Sequence, residues 1–227
     1  MNTPAPAPAD PDAAVPVAPS ASAPVDPNAH DRFILRQKVK LVVNQYQFSL
    51  PAEGDKPGEP FCFVHQKRFK FKEDIRFYTD ESKTVELMRI NARQRFDPRA
   101  RYDITTPDGQ KIGEIQKVFG KSLLRSTYQL FDANGQETAI ANESSMAVAL
   151  IRRIVGFIPY VENFANWLPI PYHFDFKRGE EIIGTHKRQL FKFRDTYTID
   201  LTADTGRTLD RRLILATAVG MDALQAR

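Results

Sequence analysis

From residue 33 onward, apolar side chains recur at every second position in short runs. In 33–43, 46–50, 61–64, 69–71, 75–79 and 85–90, aromatic or aliphatic residues alternate with Lys, Arg or Glu. A period of two is the mark of a sheet with one buried face. Turn-forming residues such as Asp80-Glu81-Ser82 separate the runs. Beyond Tyr102 the pattern sharpens. The run 102–105 passes through Pro107-Asp108-Gly109 into 112–117, and Asp-Gly between two such runs predicts a hairpin, since both turn positions tolerate positive φ. Asn134-Gly135 and Arg178-Gly179 repeat the device.

The period changes at the C-terminus. Residues 210–227 read as a helix in which 213–221 carry no charge and no polar face. A helix apolar all round must be surrounded by protein or by lipid. Nine residues are too few for a bilayer, which needs roughly 20. With about twelve strands ahead of it, the chain predicts an antiparallel β-barrel closed around its own C-terminal helix. A second helix is predicted over 146–155, capped at 142–145 and followed by the apolar, proline-broken stretch 157–171.

Two blocks look like copies. Ile112-Gly113 with Lys117 and Lys121 matches Ile183-Gly184 with Arg188 and Lys192; the segment from Arg125 to Leu130 then matches that from Arg194 to Ile199. A repeat of this length suits a barrel made of two related halves. Its paired glycines predict bulges or corners where the sheet curves.

Composition sets the limits of this domain. Residues 1–30 hold eight of the sixteen prolines, nine alanines and no Lys or Arg, so they are predicted as a disordered tail, with 31–227 as one domain. The tail has neither the basic start nor the apolar stretch of a secretory signal. The whole chain is +4; without Asp10, Asp12 and Asp26 of the tail, the domain sets 32 basic residues against 25 acidic. Such an excess favours polyanionic surroundings. Cys62 is the single cysteine, which excludes an intrachain disulfide and fits a reducing compartment.

This inventory resembles the tubby-like C-terminal superfamily, and within it the LURP-one-related and phospholipid scramblase-related proteins. The resemblance rests on 69–81 (FKFKEDIRFYTDE), the Tyr102 hairpin with Ile112-Gly113, Arg125-Ser126-Thr127-Tyr128, and the closing 209–216 (LDRRLILA) and 221–224 (MDAL). It implies the helix-threaded barrel. It also implies phosphoinositide binding, as in tubby-like domains, or lipid movement, as in scramblase relatives; plant members are linked to defence. The cysteine-rich, acylatable segment of scramblases is missing.

No catalytic signature accompanies the pattern. The four histidines form no His-x-x-x-His, and there is no Gly-x-Ser-x-Gly or Walker loop. Cys62 and His65 invite a dyad, read as a packed thiol beside a surface imidazole. Asp200, Asp204 and Asp210 lie where scramblase relatives carry a proposed calcium loop. Counting from Asp200, however, position 6 is Thr205 and position 12 is Arg211, so the EF-hand pattern fails and Asp210 reads as a helix N-cap. No metal and no cofactor are expected.

Basic residues carry the remaining signal. Candidate ligands for an anionic headgroup are Lys117, Lys121, Arg125, Lys187, Arg188 and Lys192 from the repeat, with Lys70 and Lys72 from the run between Lys67 and Arg76. A third run spans Arg89, Arg93, Arg95, Arg99 and Arg101. The expected function is non-enzymatic binding of anionic phospholipid headgroups, or a similar polyanion, by a cytoplasmic protein peripheral at the membrane and lacking a transmembrane segment. Scramblase-type lipid translocation is one alternative. Nucleic-acid or regulatory-protein binding through the same basic face is another.

Overall fold

The computed structural model describes residues 24–39, 43–67, 74–92, 101–118, 126–144, 173–189 and 195–225. Twelve antiparallel strands form a closed ring in chain order, with β1 completing it on β12. They are β1 (Arg32–Val39), β2 (Val43–Pro51), β3 (Pro57–Lys67), β4 (Asp74–Tyr78), β5 (Glu86–Ala92), β6 (Arg101–Thr105), β7 (Lys111–Val118), β8 (Thr127–Asp132), β9 (Glu137–Glu143), β10 (His173–Arg178), β11 (Glu181–Gln189) and β12 (Thr196–Asp200). Helix α1 (Arg211–Gln225) threads the ring. The fold is the expected mainly-β barrel of twelve strands around a C-terminal helix.

Enclosure of the helix follows from its sequence. Every residue from 213 to 221 is buried, including Thr217, whose hydroxyl donates back to the Leu213 carbonyl at 2.7 Å. Asp210 caps the first turn as expected, Oδ1 accepting from the Arg212 N–H at 2.9 Å. A second cap comes from the other end of the chain: Asn28 Oδ1 accepts from the Arg211 N–H at 2.8 Å. Asn28 lies in a 3₁₀ turn (Pro27–Ala29) whose Pro27 is buried, and Val25 packs on the core. Residues 24–30 therefore pack with the barrel, while 1–23 of the expected tail lie outside the described residues.

The paired glycines sit where the wall must yield. A Cβ on Gly113 would lie 2.5 Å from the Phe131 carbonyl and 3.1 Å from a Leu213 methyl; one on Gly184 would lie 2.5 Å from a Leu201 methyl. The register slips beside each of them, between Ile104 and Thr105 opposite Gly113, and between Phe176 and Lys177 opposite Gly184. The expected bulges are there. The repeat, however, relates β6–β8 to β10–β12, four strands out of twelve, so the copies are a third of the ring apart and not two halves.

Antiparallel neighbours place successive connections at alternate ends. Helix α1 enters at the end that carries connections 52–56, 79–85, 106–110, 133–136, 179–180 and 201–210. The opposite end, here the mouth, is where 40–42, 68–73, 93–100, 119–125, 145–172 and 190–194 join the strands. The strand expected over 69–71, the helix over 146–155 and the stretch 157–171 lie outside the described residues.

Candidate functional site

Towards the mouth, the inner face of the barrel turns from apolar to polar. Side-chain direction is fixed by the glycines: a Cβ on Gly113 points at Leu213 of the helix, so alternation turns Ile115 and Lys117 inward as well. On β11 the same alternation puts Gly184, His186 and Arg188 on the inner face. The register pairs Lys117 with Tyr128 and Arg188 with Tyr197, equivalent positions of the two copies. Glu143 faces Phe174, Phe174 faces His186, and Gln37 faces Tyr46. Gln37, Asn44, Glu143 and His186 are all buried.

This polar layer answers to the helix. Gly113 lies beside Leu213 and Ile115 beside Gly220, so residue 117 is level with the turn at which the helix becomes polar, from Asp222 on. Lys117 Nζ sits 6.0 Å from the centroid of the buried Tyr128 ring. Arg188 Nη2 is ion-paired with Asp195. His186 stacks on Tyr197, centroids 5.0 Å apart. Burial, with a smaller contribution from nearby His173, pushes its pKa down to about 3, so it is neutral at physiological pH.

The sequence-predicted residues divide into three groups. Lys117 and Arg188 are part-buried inner-face residues, not exposed cations. Lys187 points outward and is exposed, opposite His173 and Thr198. Lys70, Lys72, Lys121, Arg125 and Lys192 lie outside the described residues, in connections that join the strands at the mouth. Sequence reasoning passed over Glu143, His186, Gln37 and Asn44. Parity counted from Gly184 would have found His186, and counted from Gly113 would have turned Lys117 inward.

The sequences of the two sets of connections differ in charge. The six mouth connections hold thirteen Lys or Arg against three Asp or Glu, and eleven Phe, Tyr or Trp. The six at the helix-entry end hold eight Asp or Glu against three Lys or Arg, and no aromatic residue. On the wall, many cations are already paired: Arg32 with Asp55 and Asp200, Arg76 and Arg89 with Glu86, Arg101 and Lys111 with Glu114.

Other candidate chemistry dissolves on inspection. Cys62 and Val64 face the core while His65 faces out, its ring 3.4 Å from the Gln45 amide, so no dyad forms. Burial pushes the Cys62 thiol well above its ordinary range. The three acids of the calcium reading serve separate local roles. Asp200 holds the Thr202 turn, Asp210 caps α1, and Asp204 is surrounded by donors from Thr208, Leu209, Arg178 and Arg211. Among the described residues no group of three or more His, Cys, Asp or Glu is placed to hold a metal.

Comparison with known families decides the kinship that the barrel and helix suggested. The profile described as LURP-one-related matches residues 62–222. The chain belongs to the LURP-one-related family. The match runs from β3 into α1, so the strands that close the LURP-one-related barrel, β1 and β2, lie before it. The architecture agrees with the tubby-like superfamily. No curated protein and no solved structure matches the chain. Among its described residues, no helix is long and apolar enough to cross a membrane.

Proposed function

We propose that this LURP-one-related barrel is a non-enzymatic binding module, cytoplasmic and peripheral, for anionic phospholipid headgroups. One observation carries the reading: Lys187 is exposed near the end of β11 that leads into 190–194, and the sequence of 190–194, 68–73 and 119–125 holds Lys192, Lys70, Lys72, Lys121 and Arg125. Thirteen cations and eleven aromatic residues in the six connections 40–42, 68–73, 93–100, 119–125, 145–172 and 190–194 match the composition of a surface that meets charged headgroups and dips rings between them. Each Lys or Arg near an anionic bilayer contributes about 1 kcal/mol, so several together suffice for recruitment. The non-enzymatic reading is supported by the geometry of Cys62 and His65, the thiol facing the core while the imidazole faces outward beside Gln45. Lipid translocation is not favoured, because the one long apolar segment described is already spent inside the barrel.

The test is co-sedimentation of the full chain with phosphatidylserine–phosphatidylcholine vesicles and with phosphatidylcholine alone, at low and high salt. DNA and RNA are added as competitors. The reading expects binding only to the anionic vesicles, weakening steeply as salt rises. Absence of binding at low salt defeats it, and displacement by nucleic acid at equal charge concentration favours a nucleic-acid partner instead.

A further inference from the structure

We infer that residues 24–31 form a releasable strap at the helix-entry end: strap, loop 201–210 and the first turn of α1 open together while the barrel wall stays closed. Asp31 joins all three. Its Oδ1 accepts from Arg211 Nη2 at 2.6 Å and its Oδ2 from Arg207 Nη1 at 2.8 Å, while its carbonyl takes the Leu201 N–H at 2.8 Å. Asn28 spans the same gap, accepting from the Arg211 N–H through its side chain and from Arg207 Nη2 through its carbonyl. The helix needs what the strap supplies. Its first turn holds no acid and begins Arg211-Arg212, the wrong charge for the positive end of a helix dipole. Without the strap, the Arg211 N–H loses its acceptor, and the guanidinium keeps Asp204 but loses Asp31. The loop is also held against strain, since Arg207 has φ 48°, in the left-handed region that a side chain disfavours. The side chains of Arg207 and Asp31 are 42% and 34% exposed, so water and salt compete for their contact. The wall, by contrast, is an unbroken ring of paired strands, and the helix from Leu213 to Met221 is buried throughout. Exposed polar contacts at one end and a dry core beyond them are the conditions for sub-global opening.

Residue-resolved hydrogen exchange of the full chain at neutral pH, over a range of low urea concentrations, tests the strap. In the parent protein the amides of Leu201, Arg207, Leu209 and Arg211 should share one opening, at least about tenfold more frequent than that of the β7–β8 ladder. That opening should also depend less on urea, because it exposes less surface. Asn28→Ala and Asp31→Asn each weaken the strap. Neither removes the acceptor of the Leu201 N–H, the Asp31 carbonyl, or of the Leu209 N–H, the Asp204 carboxylate. Each variant should nevertheless speed exchange at both amides by one common factor, about fivefold or more. Unchanged exchange at Leu209 in the variants overturns the shared unit. Four amides that open in the parent only as often as the ladder, with the same urea dependence, overturn local opening. Should Asp31→Asn fail to fold, Asn28→Ala, which lacks a single acceptor, decides between these results.

Discussion

Arg211 and Asp204 form an ion pair with Nη1 to Oδ2 at 2.5 Å, and each side chain is only 1% exposed. The pair ties the first turn of α1 to the loop that delivers it into the barrel. Arg211 Nη2 also reaches Asp31 at 2.6 Å, ahead of β1, so one guanidinium holds the start of the barrel and its closing helix together. Burial raises the Asp204 pKa, but donors from Leu209, Arg211 and Thr208 outweigh it and hold the carboxyl at about 2. The stabilisation this gives is present above the ordinary carboxylate value of 3.8 and fades as pH falls through about 2. Removing one partner strands the other. Arg211→Ala should cost about 3–5 kcal/mol by urea denaturation at neutral pH, and a loss below 1 kcal/mol would mean the pair is not what anchors the helix.

The glycines of the repeat give a second prediction. Gly113→Ala and Gly184→Ala each drive a methyl to within 2.5 Å of a neighbour, so each should lose about 1–3 kcal/mol to overpacking. Gly135→Ala is the comparison, because nothing lies within 4 Å of its added methyl and only its φ of 82° penalises alanine. It should cost about 1 kcal/mol. Thermal melts that rank the three otherwise would contradict the close approach of wall, loop and helix.

His186 makes stability pH-dependent. Its folded pKa is about 3, against 6.5 in the unfolded chain, so below pH 6.5 the unfolded state binds the extra proton. Its contribution is complete above pH 6.5 and declines towards pH 3, by at most about 1.4 kcal/mol per pH unit. His186→Leu should flatten the difference in urea midpoint between pH 7 and pH 4.5. An unchanged slope would show that the imidazole is not buried in its neutral form.

Much of the fold was legible because the chain repeats simple signals. The 213–221 run had to be enclosed, Asp108-Gly109 and Asn134-Gly135 marked hairpins, and Gly113 and Gly184 marked bulges. The inward direction of Lys117 and Arg188 is not evident from their place in the repeat alone. A charged residue in an alternating strand is ordinarily outside, and only parity counted from Gly113 and Gly184 turns these two inward. The role of Asn28 was hidden by its neighbours. A proline- and alanine-rich context reads as tail, while its partner, the Arg211 N–H, lies 183 residues away.

That cap is itself measurable. Asn28→Ala removes one acceptor at the start of α1 and should cost about 0.5–2 kcal/mol, whereas Leu215→Asp buries an unpaired charge inside the barrel and should abolish the cooperative melt. A folded Leu215→Asp protein would overturn the helix-threaded barrel.

Charge placement, not net charge, should decide binding to the anionic surface. Two variants with the same change in net charge separate these: Lys121→Glu with Lys192→Glu in the mouth connections, and Lys56→Glu with Lys83→Glu at the helix-entry end. Their dissociation constants for phosphatidylserine–phosphatidylcholine vesicles at low salt, compared with the parent chain, are the measurement. Loss of two cations at the surface is worth about 2 kcal/mol, or roughly thirtyfold in affinity, and two added carboxylates repel the surface, so the mouth variant should weaken by at least about that factor and the other by less than about twofold. Equal weakening of both, or a larger loss from the helix-entry variant, would contradict the account.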